Sequence, residues 1–295
     1  MFTNMEKMAG ALFELVRLAA TELPEDVVTA LKACGSKEEP GSNAEFILAA
    51  YLENIAMARE RKVPLCQDTG APTFYISHPA AISAPVLRKL CEQAVVRATE
   101  EQYLRPNAVD AVTGKNSGNN LGQGFPPIYF TERDDSVIDV SLILKGGGSE
   151  NVGTQLSLPC DELHAERDLE GVRRVVLDAL RRAEGKGCPP GILGICLGGD
   201  RGAGYAESKR QLLRPLGDVN PDPLLASLEN RLLTEGNLLG IGPQGLGGHC
   251  TLLGVKIGAL HRVPACYFVT IAYMCWVHRR RSLRIEEDGT YHITC

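Results

Sequence analysis

"PIYFTERDDSVIDVSLILKGGGSEN", residues 127–151, decides between the two architectures open to a mixed chain of this size. "PIYFTE" and "SVIDVSLILKG" are strand-like runs, rich in β-branched residues with partial alternation. The glycines of "GGGSEN" then break the pattern. A doubly wound α/β sheet would interleave strands with helices, whereas these strands follow a helical N-terminal third. On the N-terminal side, "PEDVVTALKAC" follows a proline start. "SNAEFILAAYLENIAMARERK" opens with a Ser/Asn cap and Glu45, then runs apolar at Phe46, Ala49, Ala50, Leu52, Ile55 and Ala56. "APVLRKLCEQAVVRATEEQYL" predicts a third helix, and "NAVDAVTGKNSGNNLGQGFPP" a long ordered loop. On the C-terminal side, helices are expected at "DLEGVRRVVLDALRRAEG", "GYAESKRQLLRPLG" and "PDPLLASLENRLLTEGN", the last capped by Asp222 with Pro223 at its first position. Strands are expected at "GILGICLGGD", "TLLGVKIGALHR" and "YFVTIAYMC", and the tail reads as a hairpin around Asp288-Gly289. No repeat or low-complexity linker divides the chain. The expectation is an α+β fold: one mixed domain over residues 1–295, with helices packed around mostly antiparallel sheets.

The composition, 44% hydrophobic and 23% charged over 295 residues, is that of a globular protein. A net charge of -5 argues against a nucleic-acid surface, although local arginines can still hold an anion. In the first twenty residues Glu14 and Arg17 interrupt the apolar run, while Met5, Met8, Leu12, Leu15 and Val16 keep helical spacing. That is an amphipathic helix without an export signal. "YFVTIAYMCWV" is too short to span a bilayer, so a cytoplasmic protein is expected. No GxGxxG follows a strand and opens a helix, and there is no Walker A pattern, so nucleotide binding is not supported.

Ten cysteines stand in the chain, with no C-x2-C pair and no finger spacing. Disulfides are not expected in a reducing compartment, and most of these thiols read as small buried hydrophobes. Cys66 in "VPLCQDTG" and Cys188 in "GCPPGIL" sit in turns, and Cys275 ends an apolar strand where the basic run "HRRR" begins. Each is open to three readings: a buried thiol, a nucleophile or one ligand of a cluster. Three thiolates would leave one iron of a four-iron cluster free. Arg105, Lys115, Lys145, Arg201 and "HRRR" are candidate carboxylate clamps, with a solvated face or a subunit contact as the alternative for Arg280 and Arg281. Glycines gather at 114–124, 146–148, 198–204 and 240–248, which suggests backbone closing around one ligand.

Taken in order, "CQDTG", "LRPNAVD…KNSGNN", "KGGGSEN", "CPPGILG", "NLLGIGPQGLGG" and "CWVHRRR" resemble the iron–sulfur-dependent class I fumarate hydratase and L(+)-tartrate dehydratase family, across nearly the whole chain. The resemblance is to its alpha subunit, the cluster-binding N-terminal part, and so implies a beta subunit that completes the active site in a hetero-oligomer or around a dimer of alpha chains. It implies a [4Fe-4S] cluster held by Cys66, Cys188 and Cys275. It matches Gln67, Asp68, Arg105, Gly147 and Gly148 to substrate-binding positions, and Asp68 and His261 to catalytic ones. The implied reaction is reversible addition or removal of water on a small dicarboxylate, fumarate/malate or L-tartrate/oxaloacetate, with the open iron as Lewis acid. Cys34 and Cys295 are not expected to hold the cluster. A non-catalytic iron–sulfur or redox-sensing scaffold is the alternative use of the same cysteines.

Overall fold

The computed structural model describes residues 5–294. Cys295 lies outside the described residues. Helices α1 Met5–Thr21, α2 Glu25–Gly35 and α3 Asn43–Arg61 precede strand β1 Ala71–Pro79 and helix α4 Ala84–Glu100. Strands β2 Ile128–Arg133 and β3 Ile138–Lys145, helix α5 Gly147–Asn151 and strand β4 Thr154–Ser157 come next. Helix α6 Leu169–Ala183, strand β5 Gly191–Gly198 and helices α7 Arg201–Gln211 and α8 Pro223–Leu238 follow. Strands β6 Leu252–Leu260, β7 Phe268–Met274, β8 Arg279–Ile285 and β9 Tyr291–Thr294 close the chain. These elements form two compact units, each assembled from separate chain segments.

The first unit takes the chain up to Pro24, Asn54–Gly147 and the chain from Val277 onward. Its sheet runs β2-β1-β3-β8-β9, parallel only between β1 and β2. Side chains two apart share a sheet face. Phe74 and Ile76, Ile138, Val140, Leu142 and Leu144, and Leu283 and Ile285 accordingly form one apolar core with Leu12, Leu15 and Val16 of α1 and Leu87, Leu90 and Val95 of α4. The interior strand β1, "APTFYISHP", is not foreseen by the sequence reading. Thr73, Phe74, Tyr75 and Ile76 favour a strand, but the run is short and prolines stand near both its ends. "GGGSEN" is not a plain glycine turn either: it forms the short helix α5. The solvated face considered for Arg280 and Arg281 is overturned. Both are buried on β8, which lies between β3 and β9 in the sheet. Arg281 there donates to the backbone oxygen of Glu22.

The second unit takes Glu25–Glu53 and Gly148–Trp276. Its sheet runs β4-β7-β5-β6, parallel only between β5 and β6. Strand β5 is buried on both faces. Leu193, Ile195 and Leu197 pack with Val172, Val175 and Val176 of α6 and Leu228 and Leu232 of α8. On the other face α7 lies so close that a Cβ on Gly194 would stand 2.1 Å from the Ser208 carbonyl oxygen. Asp168, Asp200 and Asp222 cap α6, α7 and α8, each side chain accepting from amides in the first turn. Of these three the sequence predicts the α8 cap, and the predicted serine cap of α3 also forms, with Ser42 Oγ accepting from the Glu45 amide at 3.1 Å. On α3, the buried residues are Ala44, Leu48, Tyr51, Ile55 and Ala58, while Phe46 is 76% exposed, so the inward face is rotated from the expected one. The two mixed, mostly antiparallel sheets and their helices make an α+β protein.

Candidate functional site

In the first unit, the chain between α3 and β1 carries Cys66, Gln67 and Asp68. The Leu65 amide donates to the Ala20 carbonyl at 3.0 Å, and Asn54 Nδ2 donates to the Leu65 carbonyl at 2.9 Å, which fixes the entry to the loop. Cys66 is free and half-buried, and Gln67 is exposed. Asp68 Oδ1 accepts from the Gly70 amide at 3.0 Å, and its Oδ2 accepts from the Gly147 amide at 2.7 Å. Arg279, one of the largest fully buried side chains, donates from Nη1 to the Asp68 carbonyl at 2.8 Å. Gly70 has φ +79°, and a Cβ there would stand 2.9 Å from the Leu144 and Lys145 backbone, so only glycine lets this turn lie against β3. The buried Thr69 hydroxyl accepts from the Arg105 amide at 2.9 Å. The exposed Arg105 side chain is thus anchored beside the same loop. Cys66, Gln67, Asp68, Arg105 and Gly147 are therefore brought together, and buried Lys145 ends β3 opposite Ala71.

In the second unit, Cys188 precedes β5 and Cys275 follows β7. Antiparallel pairing of Ile192 with Met274 puts the two cysteines at one end of the sheet. The Trp276 amide donates to the Cys188 carbonyl at 3.2 Å, so the two loops are joined directly. Both cysteines are half-buried and outside any disulfide. Tyr273 is the floor beneath Cys188: a Cβ on Gly187 or Gly191 would come within 2.5 Å and 2.3 Å of its ring. Burial pushes the Tyr273 hydroxyl far above its ordinary value, and the neighbouring Cys275 and Cys188 add to the shift. Gly148 begins this unit, with Lys186 O 3.5 Å from where its Cβ would stand.

The fumarate hydratase (Fumerase) family model matches residues 10–284. The chain belongs to the fumarate hydratase (Fumerase) family. A provisionally named class I fumarate hydratase of Geobacillus stearothermophilus is 46% identical over 96% of this chain and 56% of its own length. The chain thus spans little more than half of that relative. A provisionally named L(+)-tartrate dehydratase subunit alpha of Methanocaldococcus jannaschii is 38% identical over 96% of the chain and 99% of its own length. The L(+)-tartrate dehydratase subunit alpha of Escherichia coli K12 is 32% identical over 98% and 95%.

The thiol chemistry of this family member separates its cysteines into classes. Burial pushes the thiols of Cys91, in α4, and Cys196, in β5, up to about 12, so neither is a ready thiolate. Against the expectation of no disulfide, Cys34 is bonded to Cys250, with Cα atoms 5.7 Å apart, because α2 and the loop before β6 meet there. Cys160 and Cys266 lie toward the Phe268 end of β7, away from Cys275. Cys66 in the first unit, and Cys188 and Cys275 in the second, are half-buried, loop-borne and outside any disulfide, and the loops of the latter two are joined by a backbone bond. Thiolates are the donors that iron–sulfur groups take. Among the described residues, no three or more His, Cys, Asp or Glu side chains gather into a metal-holding group.

Other expected site features fall elsewhere. His261 is exposed beyond β6, where Leu260 pairs with Gly198, at the opposite end of the sheet from Cys188 and Cys275. The glycines at 198–204 share that far end, whereas the Gln244 amide, within 240–248, donates to the Pro189 carbonyl at 3.0 Å. These two loops therefore do not converge. Close backbone packing accounts for part of the second: a Cβ on Gly242 would stand 1.8 Å from the Gly247 carbonyl oxygen. Arg201 is engaged by Gln155 and lies over the Phe268 ring. Sequence reasoning missed Thr69, Tyr51 and Gln244, whose partners near the cysteines are remote in the chain.

Proposed function

We propose that this chain is the cluster-carrying part of a hydro-lyase that reversibly adds or removes water on a small dicarboxylate, fumarate/malate or L-tartrate/oxaloacetate. The family match over residues 10–284 carries the reading. Cys66, Cys188 and Cys275 are the proposed ligands of a [4Fe-4S] cluster, and their half-buried, loop-borne thiols, outside any disulfide, support this. When bound, the cluster would supply Lewis acidity that eases departure of the substrate hydroxyl. Arg105, exposed and anchored beside Thr69, would hold a substrate carboxylate with two parallel hydrogen bonds. That grip matters because the C3 proton is weakly acidic and charge builds on the neighbouring carboxylate as it leaves. Gln67 would offer its exposed amide to the substrate, and Gly147 and Gly148 would let it approach the backbone. Asp68, with one hydrogen bond to each carboxylate oxygen, would order this loop in place of carrying the proton. His261 is left outside the proposed catalytic set by its position.

A beta subunit would supply the base and further carboxylate-binding groups, and the assembly would work in the cytoplasm. No helix among the described residues is long and apolar enough to cross a membrane. The test is anaerobic reconstitution of the chain co-expressed with its beta partner, followed by assays with malate and L-tartrate. Conversion to fumarate or to oxaloacetate is expected, with loss of activity in air. A complete cluster that turns over neither acid would sink the hydro-lyase reading in favour of a non-catalytic iron–sulfur scaffold.

A further inference from the structure

We propose that Tyr51 of α3 is a positioning residue that sets the spacing of Cys188 and Cys275. The inference rests on these two cysteines being cluster ligands, as proposed above. Tyr51 is 7% exposed and touches the residue that follows each cysteine. Its ring stacks on Trp276, next to Cys275, with centroids 3.7 Å apart and planes 12° apart. Its hydroxyl donates to the carbonyl of Pro189, next to Cys188, at 3.4 Å. The same hydroxyl accepts from Gln244 Nε2, and the Gln244 backbone amide also donates to Pro189 O. With the Trp276–Cys188 backbone bond, these contacts close a ring of interactions around the ends of β5 and β7.

A cluster needs its thiolates at fixed separation, and fixed ligands need supporting groups locked by packing. A tyrosine suits this task because its flat ring and polar tip act on two loops at once. Neither Cys188 nor Cys275 is near Tyr51 in sequence, since the Tyr51–Pro189 bond spans 138 residues.

The test compares Tyr51→Phe and Tyr51→Leu with the wild type. On the anaerobic, iron-free full chain, the iodoacetamide labelling rate of each cysteine is followed by peptide mass spectrometry. After reconstitution, iron per chain and the rate of iron loss to a chelator are measured. Trp276 is the only tryptophan in the chain, so its fluorescence reports the stack directly. Tyr51→Leu is expected to raise labelling of Cys188 and Cys275 about fivefold and to speed iron loss about tenfold, with Cys66 and Cys196 unchanged, as loosening of a supporting contact around ligands predicts. Tyr51→Phe should keep the tryptophan signal and lie between Tyr51→Leu and the wild type in iron loss. Wild-type labelling and iron loss in Tyr51→Leu overturn the proposal. So does labelling that rises equally at Cys196, since that reports general loosening of the unit. If wild type takes up no iron, the proposed function fails, while the ratio of Cys188 and Cys275 labelling to that of the half-buried Cys160 still decides the place of Tyr51.

Discussion

Replacing Asp68 with alanine tests whether its carboxylate builds the loop that carries Cys66. The substitution removes two hydrogen bonds from backbone amides to an ionised acceptor, at 3.0 Å from Gly70 and 2.7 Å from Gly147. Bonds to charged groups are worth about 1.5–3 kcal/mol each. Asp68 is half-buried and Gly147 exposed, so water can recover part of the loss. The lower end applies, and the expected cost is about 2–3 kcal/mol for the pair. At about 2.1 cal/mol/K of unfolding entropy per residue, that lowers Tm by about 3–5 °C in a chain of 295 residues. Calorimetry of the iron-free chain measures the shift directly. Asp68→Asn keeps an acceptor for one amide but presents an NH2 group to the other, and should fall between alanine and wild type. Labelling of Cys66 should rise in Asp68→Ala, because the Arg279 bond to the Asp68 carbonyl is then the remaining tie at that residue among those described above. An unchanged Tm, within about 1 °C, would refute the clamp, since the arithmetic leaves no room for so small a shift. An unchanged Tm with activity lost in the reconstituted enzyme would return Asp68 to proton transfer.

Cys66→Ser, Cys188→Ser and Cys275→Ser should each abolish stable iron retention after anaerobic reconstitution, and Cys160→Ser should not; iron per chain decides it. At pH 8 the native chain should leave Cys91 and Cys196 unlabelled by iodoacetamide, because thiols at about 12 hold about one thiolate in ten thousand. Gly194→Ala should cost about 1–3 kcal/mol in urea denaturation, since the new methyl meets the Ser208 carbonyl and α7 must shift. Glu170 is held at about 2, chiefly by its hydrogen bond from Arg173, against an ordinary 4.5. A depressed carboxylate contributes stability above its unfolded value and loses it as pH falls through the folded one, so this contribution fades between pH 4.5 and about 2. The side chain is 40% exposed, which limits the effect to under about 1 kcal/mol. Glu170→Gln should flatten that part of the acid denaturation curve by the same amount.

What could be read from the sequence was local. The α8 cap at Asp222-Pro223 and the β8–β9 hairpin around Asp288-Gly289 are set by residues within a few positions of one another. Strand β1 was hidden by Pro72 and Pro79 at the ends of a short run, which the strand tolerates because it pairs with β2 on one side and β3 on the other. The inward face of α3 was misread because apolar residues surround that helix, and only packing selects Leu48 and Tyr51 over Phe46. The "HRRR" run looked like a surface because charge predicts exposure. Here the strand carrying it is interior to a sheet, and Arg279 and Arg281 are bonded to backbone carbonyls.

The same distinction runs through the candidate site. Short motifs mark the donors, so Cys66, Cys188 and Cys275 stand out beside their prolines and glycines. The groups that hold those donors act at a distance and mostly through backbone. Asp68 grips the amide of Gly147, 79 residues away, and Tyr51 grips the carbonyl of Pro189, 138 residues away. Each unit thus fixes a residue within two positions of a candidate ligand with one polar side chain and a remote peptide group. A peptide group is present at every position, so the receiving residue's identity carries no sign of its task. The donors of such a site are therefore visible in the primary structure, and their spacing becomes visible only once the strands have paired.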